Sequence, residues 1–154
     1  MNDLEFGSCL YKLYHSTVKL EAETVGGNKN CTDLTVNELN LIEAIRRLSR
    51  GSEGPTISTI ANEMEITRPS TTVAINKLAA KDIVTKNECE KDGRSVRVKL
   101  TAKGEKAYSA HHSFQNFLAK DIRANFTEEE YKTITASLAK LTKFLGDKVN
   151  ELEA

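Results

Sequence analysis

A mainly α chain with one small β-hairpin is the fold class that the sequence predicts, and three observations predict it. Apolar side chains recur at three- and four-residue spacing through most of the chain, the signature of amphipathic helices. Two of these patterns are short, Ser58–Met64 and Arg68 to about Ala80, and only a tight turn at Glu65-Ile66-Thr67 separates them. A single stretch alternates instead, with Val96, Val98 and Leu100 interleaved with Arg97 and Lys99, as in a strand with one buried face.

The elements follow in order. Leu4 to about Val25 forms the first helix, with Leu10, Leu13, Tyr14, Thr17 and Leu20 on one stripe. Gly26-Gly27-Asn28-Lys29-Asn30 breaks it and opens a polar loop. Thr35-Val-Asn-Glu38 is a capping box that starts a second helix carrying Leu39, Ile42, Ile45 and Leu48 and ending near Gly51. Ser52-Glu53-Gly54-Pro55 reads as a turn and Thr56-Ile57 as a short strand before the helix at Ser58. Thr67 is placed to cap the next helix, and Pro69 suits its first turn, where the missing N–H would be unpaired anyway. Ile83–Lys86 and Val96–Leu100 then pair, with Asp92-Gly93 as the turn and Arg94 at the tip. Thr101 caps a helix to about Ala124, and a second capping box, Thr127-Glu-Glu-Glu130, starts a helix to about Glu151. The expected architecture is a winged helix-turn-helix over 35–103, preceded by a helix and loop over 1–34 and followed by helices over 104–154.

The last helix brings Tyr131, Ile134, Leu138, Leu141 and Leu145 to one stripe, with Val149 and Leu152 nearby. Such a stripe needs a partner surface. The N-terminal helix and its mate in a second chain supply one, so both ends of the chain are expected to be dimerisation elements.

Length and composition bound the function. At 154 residues the chain fits one domain, or a small domain with a dimerisation extension. Met1-Asn-Asp-Leu-Glu has no charged-then-apolar pattern and no long apolar run follows, so neither secretion nor a membrane span is expected. Cys9, Cys31 and Cys89 are odd in number, widely spaced and without a C-x-x-C pair. No disulfide framework or metal site is expected, and the reducing cytoplasm is the expected compartment. Overall charge is balanced at 22 basic and 22 acidic residues, but from Thr67 to Lys103 nine Lys or Arg face only four Asp or Glu. Salt screens charges beyond roughly 10 Å, so this local excess, rather than the total, sets attraction to phosphate.

On the helix from Arg68 to about Ala80, Thr71, Ala74, Ile75 and Leu78 share a side that can pack on Ile60, Ala61, Met64 and Ile66. The other side presents Pro69, Ser70, Val73, Asn76 and Lys77, with Thr72 at the margin. Asn can bond an adenine edge bidentately, Ser or Thr can bond bases or phosphates, valine can touch a thymine methyl, and lysine can meet guanine or phosphate. Exposed first-turn amides near Arg68 could receive a phosphate. At the hairpin tip, Lys91, Gly93 and Arg94 are the candidates, Arg94 being suited to a narrow minor groove with A·T-rich flanks. Asp92 is assigned to holding an arginine in place. For Lys91, Arg97 and Lys99, solubilising charge and phosphate contact stand as equal alternatives.

These residues resemble the MarR family, the multiple-antibiotic-resistance regulators. The likeness covers nearly the whole chain. It is carried by Leu34-Thr35, Ile60-Ala61 and Asn76-Lys77-Leu78, and above all by Asp92-Gly93-Arg94 followed by Val98-Lys99-Leu100-Thr101-Ala-Lys-Gly104, which is similar to the family's D-x-R…L-T-x-K-G wing. The resemblance implies a dimeric transcriptional regulator, most often a repressor, that binds double-stranded DNA and whose first and last helices form the dimer interface. Two residues depart from the family pattern: Val73 stands where many members carry a base-contacting arginine, and Asp82 replaces a common glycine. Thr72-Val-Ala-Ile-Asn76, His111-His-Ser-Phe114 and Phe126-Thr-Glu-Glu-Glu130 resemble the fatty-acid-synthesis repressor branch. That likeness implies an effector, a small molecule or an acyl-carrier protein bearing a long acyl chain, near His111 and Phe114.

His111 shares a stripe with Tyr108, Phe114, Leu118 and Ile122, so a hydrogen-bonded core or interface histidine is the alternative to an effector contact. His112 is expected in solvent and Phe117 in the core. Cys9, in Ser8-Cys-Leu-Tyr-Lys-Leu-Tyr14, faintly resembles a hydroperoxide-sensing branch with Tyr11 and Tyr14 as partners, but only Lys12 is near to lower a thiol pKa. A buried structural cysteine is therefore expected. Two further alternatives are a protein-docking module that never touches DNA and, weakest, an enzyme. For the last there is no nucleophile spacing, phosphate-binding glycine loop or metal-ligand cluster, and no cofactor is expected.

Overall fold

The computed structural model describes residues 2–25, 33–49, 54–89 and 92–153, with the side chains of 88, 89, 92–94, 150 and 153 outside the description. Among the described residues the order is α1 (Asp3–Val25), α2 (Val36–Leu48), α3 (Ile57–Met64), α4 (Arg68–Ala80), β1 (Val84–Cys89), β2 (Asp92–Leu100), α5 (Ala102–Ala124) and α6 (Glu128–Glu153). The glycine break at 26–30, Cys31, Gly51 to Glu53 and Lys91 lie outside the described residues.

Local chemistry sets the boundaries. The capping box forms at α2: Thr35 Oγ1 accepts from the Glu38 N–H at 3.3 Å, and Glu38 Oε2 accepts from the Thr35 N–H at 2.8 Å. At α3 the expectation shifts by one residue. Thr56, not Ser58, precedes the helix and accepts from the Thr59 N–H at 3.1 Å, so Ile57 is already helical. The expected Thr56-Ile57 strand shrinks to one antiparallel bridge between Thr56 and Arg97, because Thr56 already serves as a cap whose hydroxyl satisfies a first-turn amide.

Helices α3 and α4 both end through a left-handed residue that is not glycine, Glu65 at φ 55 and Asp82 at φ 59. Behind Glu65 the Ile66 N–H donates to the Ala61 carbonyl at 3.1 Å, and behind Asp82 the Ile83 N–H donates to the Leu78 carbonyl at 2.9 Å. These backbone bonds hold the two turns despite the cost of left-handed geometry.

Strands β1 and β2 pair antiparallel from Val84 opposite Leu100 to Cys89 opposite Asp92, with an irregularity between Glu88 and Cys89. Asp92 and Gly93 therefore lie within β2 and do not form the turn that the sequence suggested. Between the pairs Glu88–Val96 and Cys89–Asp92 the β2 side carries the additional residues 93–95, so the ladder continues past the expected turn.

Packing divides the chain into residues 1–114 and 115–154. In the first unit Ile42 and Ile45 of α2, Ile60 of α3, Ile75 and Leu78 of α4, Ile83 and Val98 are all at most 1% exposed. Each such aliphatic side chain contributes about 1.5–3 kcal/mol by leaving water. Ile66, expected beside them, is 41% exposed because it follows the left-handed turn out of α3. Gly104, in the first turn of α5, lies so close to the chain entering β1 that a Cβ there would meet the Ile83 carbonyl oxygen at 2.2 Å. Thr101 Oγ1 accepts from the Gly104 N–H at 3.0 Å, so hairpin and α5 join through one Thr-x-x-Gly turn.

His111 is buried at 1% exposure, with Nδ1 2.5 Å from Glu21 Oε1 and Nε2 3.1 Å from Glu43 Oε2. It thereby joins α5 to α1 and α2. The stripe of α1 is largely bare: Leu13, Tyr14 and Leu20 are exposed. In the second unit Thr127 caps α6 through a second reciprocal box with Glu130, Arg123 pairs with Glu128 at 3.0 Å, and Leu138, Leu145, Val149 and Leu152 stay exposed. Phe117, expected in the core, is 61% exposed because the buried stripe of α5 (Ala107, His111, Phe114) ends one turn before it.

Two stability predictions follow from this geometry. Gly104→Ala forces α5 away from a backbone carbonyl and should cost about 1–3 kcal/mol in urea unfolding. Asp82→Gly relieves the left-handed penalty and should add about 0.5–1 kcal/mol, net of glycine's greater entropy loss.

Candidate nucleic-acid interface

The face that α4 turns outward follows from the face it buries. With Thr71, Ile75 and Leu78 at 0% exposure, the 100° step per residue carries Arg68, Pro69, Ser70, Thr72, Val73, Asn76 and Lys77 into solvent, Val73 being 55% exposed. All the candidate residues of this helix therefore share one surface. Thr67 and the first-turn proline start it as expected, the Thr67 hydroxyl accepting from the Ser70 N–H at 3.3 Å.

Hydrogen bonds within the unit decide what each polar group has left to offer. Thr72 Oγ1 donates to the Arg68 carbonyl at 2.9 Å, so its hydroxyl retains only acceptor capacity. Thr67 Oγ1 donates to Ser70 Oγ at 2.9 Å, which leaves the Ser70 proton for an outside acceptor. Lys86 Nζ donates to Asn76 Oδ1 at 2.7 Å. Lys86 was not a candidate in the sequence, and only its place on β1 beside α4 gives it a role.

The basic excess separates into structural and outward charges. Lys81 Nζ donates to Glu38 Oε1 at 2.7 Å, to Oε2 at 2.8 Å and to the Asp33 carbonyl at 2.5 Å, tying the end of α4 to the start of α2. Lys103 Nζ donates to the Lys81 carbonyl, and Arg97 Nη1 donates to the Gly54 carbonyl, both at 2.9 Å. Arg97 thus has a structural partner, which neither sequence alternative for it included. Lys91 lies outside the described residues, and Gly93 and Arg94 are placed by their β2 backbone alone.

An open groove of about 1030 Å³ runs beside α4, lined by Thr35, Leu41, Met64, Ile66, Val73 and Lys77 among others. Away from α4, Phe114 is 5% exposed and His111 faces its two carboxylates, so both effector candidates are buried. His112 is exposed and stacks on Tyr108 at 5.3 Å. Cys9 is exposed, contrary to the expected burial, because no described residue of α1 before Glu21 is buried; the Tyr11 and Tyr14 rings pack on His15. No group of three or more His, Cys, Asp or Glu among the described residues could hold a metal, and no described helix is long and apolar enough to cross a membrane.

Three comparisons bear on this geometry. A MarR-family model matches residues 32–95. The transcriptional regulator ZitR of Lactococcus lactis is 30% identical over 95 residues, which is 60% of this chain and 66% of that relative, so the chain spans just under two thirds of it. Among solved structures, a complex of Streptococcus pneumoniae FabT with DNA is similar with a TM-score of 0.83 and 23% identity, covering 95% of this chain and 99% of that one. A Staphylococcus aureus MepR–DNA complex gives 0.74 and 18%, covering 91% and 97%. A mutant Escherichia coli MarR complexed with operator DNA gives 0.69 and 20%, covering 89% and 93%.

The Glu38–Lys81 clamp yields a pH prediction. Burial pushes the Glu38 carboxyl up, but hydrogen bonds from Lys81 and from the Thr35 backbone and hydroxyl outweigh it and hold the group below the usual carboxylate range. A depressed folded pKa means stability that is complete above the unfolded value, about 4.3, and lost as pH falls through the folded one. Glu38→Gln keeps the capping geometry and should cost about 0.5–1 kcal/mol at pH 7. In urea titrations that difference should shrink steadily below pH about 4.3; a difference indifferent to pH contradicts the clamp.

Proposed function

We propose that the chain, whose residues 32–95 match a MarR-family model, is a transcriptional regulator of that family that binds double-stranded DNA sequence-specifically, as a homodimer on a pseudo-palindromic operator. The observation that carries this reading is the division of α4. One face is buried through Thr71, Ile75 and Leu78, and the other gathers Ser70, Val73, Asn76 and Lys77 in solvent, the side-chain types that read major-groove base edges. A face that only had to be soluble would need no such mixture of small polar groups and one exposed β-branched side chain.

In this proposal residues 35–103 form the DNA-binding domain, and residues 1–34 and 104–154 supply dimerisation. The bare stripes of α1 and α6 support that assignment, since exposed apolar stripes of this length find partners. A two-fold axis would set the two α4 helices about 34 Å apart, one turn of duplex. The hairpin tip, with Lys91, Gly93 and Arg94, enters the adjoining minor groove. The regulator acts as a repressor in the cytoplasm. Control of fatty-acid synthesis is the regulon we favour, on the likeness of Thr72–Asn76, His111–Phe114 and Phe126–Glu130 to that branch. An acyl-carrier protein or small-molecule effector would shift the population of dimers with DNA-competent spacing. At His111 and Phe114 it would have to open the Glu21–His111–Glu43 cluster.

Titrating the full chain with a pool of its source organism's DNA fragments tests the reading. Selective retention of a few fragments, with log affinity falling linearly against log salt, is expected. Arg94→Ala should weaken binding and reduce that slope by about 1. Equal retention of all fragments, or affinity indifferent to salt, favours a protein-docking module.

A further inference from the structure

We infer that Lys86 is a specificity-determining residue: by holding the Asn76 carboxamide oxygen it makes Asn76 a hydrogen-bond donor toward the base edge. The inference rests on the DNA-binding reading and deepens it.

Lys86 reaches Asn76 because of strand alternation. Side chains at 84, 86 and, across the ladder, 98 share one face of the hairpin, and Val84 and Val98 are buried there at 3% and 0% exposure. Lys86 thus leaves the core side of β1, the side turned to α4, and extends its ammonium past the apolar contact. The Nζ lies 2.7 Å from Asn76 Oδ1, and an ammonium has donors only, so the amide is fixed with its oxygen toward β1. Without that charge, oxygen and nitrogen could exchange places freely at so exposed a position.

The consequence concerns which base Asn76 can read. Bidentate recognition of adenine needs the amide oxygen to accept from N6 while the nitrogen donates to N7. With Oδ1 drawn to Lys86, Nδ2 is the group left to face the groove. Nδ2 meets acceptors: guanine offers two, N7 and O6, and thymine offers O4, whereas adenine's N7 sits beside an N6 donor that the held Oδ1 no longer faces. The Ser70 hydroxyl, its oxygen already accepting from Thr67, is likewise left as a donor on the same surface. Two donors on one helix face favour guanine or thymine over adenine at the position under Asn76.

Selection of bound sequences from a randomised duplex pool tests this with the full chain, Asn76→Ala, Lys86→Met and Lys86→Gln. Asn76→Ala identifies the base pair that Asn76 reads, as the position whose preference disappears. There the unaltered chain should enrich guanine or thymine. Lys86→Met should turn the preference to adenine by about fivefold or more, with the melting temperature checked against the unaltered chain. Lys86→Gln retains an N–H donor for Oδ1 and should keep the original preference. An unchanged preference in Lys86→Met, with affinity lowered evenly across sequences, overturns the inference and makes Lys86 a phosphate contact. Adenine already enriched by the unaltered chain also overturns it. Failure of the unaltered chain to enrich any sequence overturns the DNA-binding reading itself and is distinct from both.

Discussion

Burial of one side of α4 is the constraint on which everything else depends. Thr71, Ile75 and Leu78 are all at 0% exposure, and the Thr71 hydroxyl escapes the cost of burial by donating to the Thr67 carbonyl at 3.0 Å. Once those three positions are fixed inward, the helical repeat leaves no freedom over where Ser70, Val73, Asn76 and Lys77 go. The surface proposed to read DNA is thus specified by the core beneath it. Misplacing the helix by one residue would cost several buried aliphatic contacts.

The remaining devices hold that helix at both ends and along its flank. Thr67 caps its start, the Lys81 clamp to Glu38 and the Asp33 carbonyl fastens its end, and the left-handed turn at Asp82 aims the chain into β1. Hairpin and α5 then lock through Thr101 and the close approach of Gly104 to the Ile83 carbonyl. The motif Leu100-Thr101-Ala-Lys-Gly104 is therefore a joint: the threonine caps, the lysine bonds the Lys81 carbonyl, and the glycine alone fits. The wing inherits its position from that joint.

Periodic patterns and local caps were legible in the sequence. The limits of α4, both capping boxes and the inward and outward sides of the reading helix follow from residue spacing alone, since they depend on neighbours within a turn or two. What escaped was set at longer range or by competition. The helix expected from Ser58 begins one residue earlier because the hydroxyl of Thr56, the bridging residue itself, satisfies the Thr59 amide. Asp92 and Gly93 fell within β2 and not in a turn because a register irregularity depends on both strands. Lys86, Lys81 and Arg97 looked like equivalent positive charges, yet each has a partner ten or more residues away that no spacing rule reveals. Cys9 and Phe117 were misjudged because burial depends on how far along a helix its neighbours extend, and α1 is buried only from Glu21 and α5 only to Phe114.

The central claim, that the outward surface of α4 lies against base edges while its inner face stays in the core, is tested most directly by methyl NMR. The full chain, labelled at valine and isoleucine methyls, would be bound to a duplex that it selects. Cross-peaks from Val73 methyls to major-groove base protons, with Ile60 and Ile75 shifts unchanged, are the predicted result. Val73 signals untouched by saturating duplex, or core shifts showing that Ile75 has left its site, would contradict it.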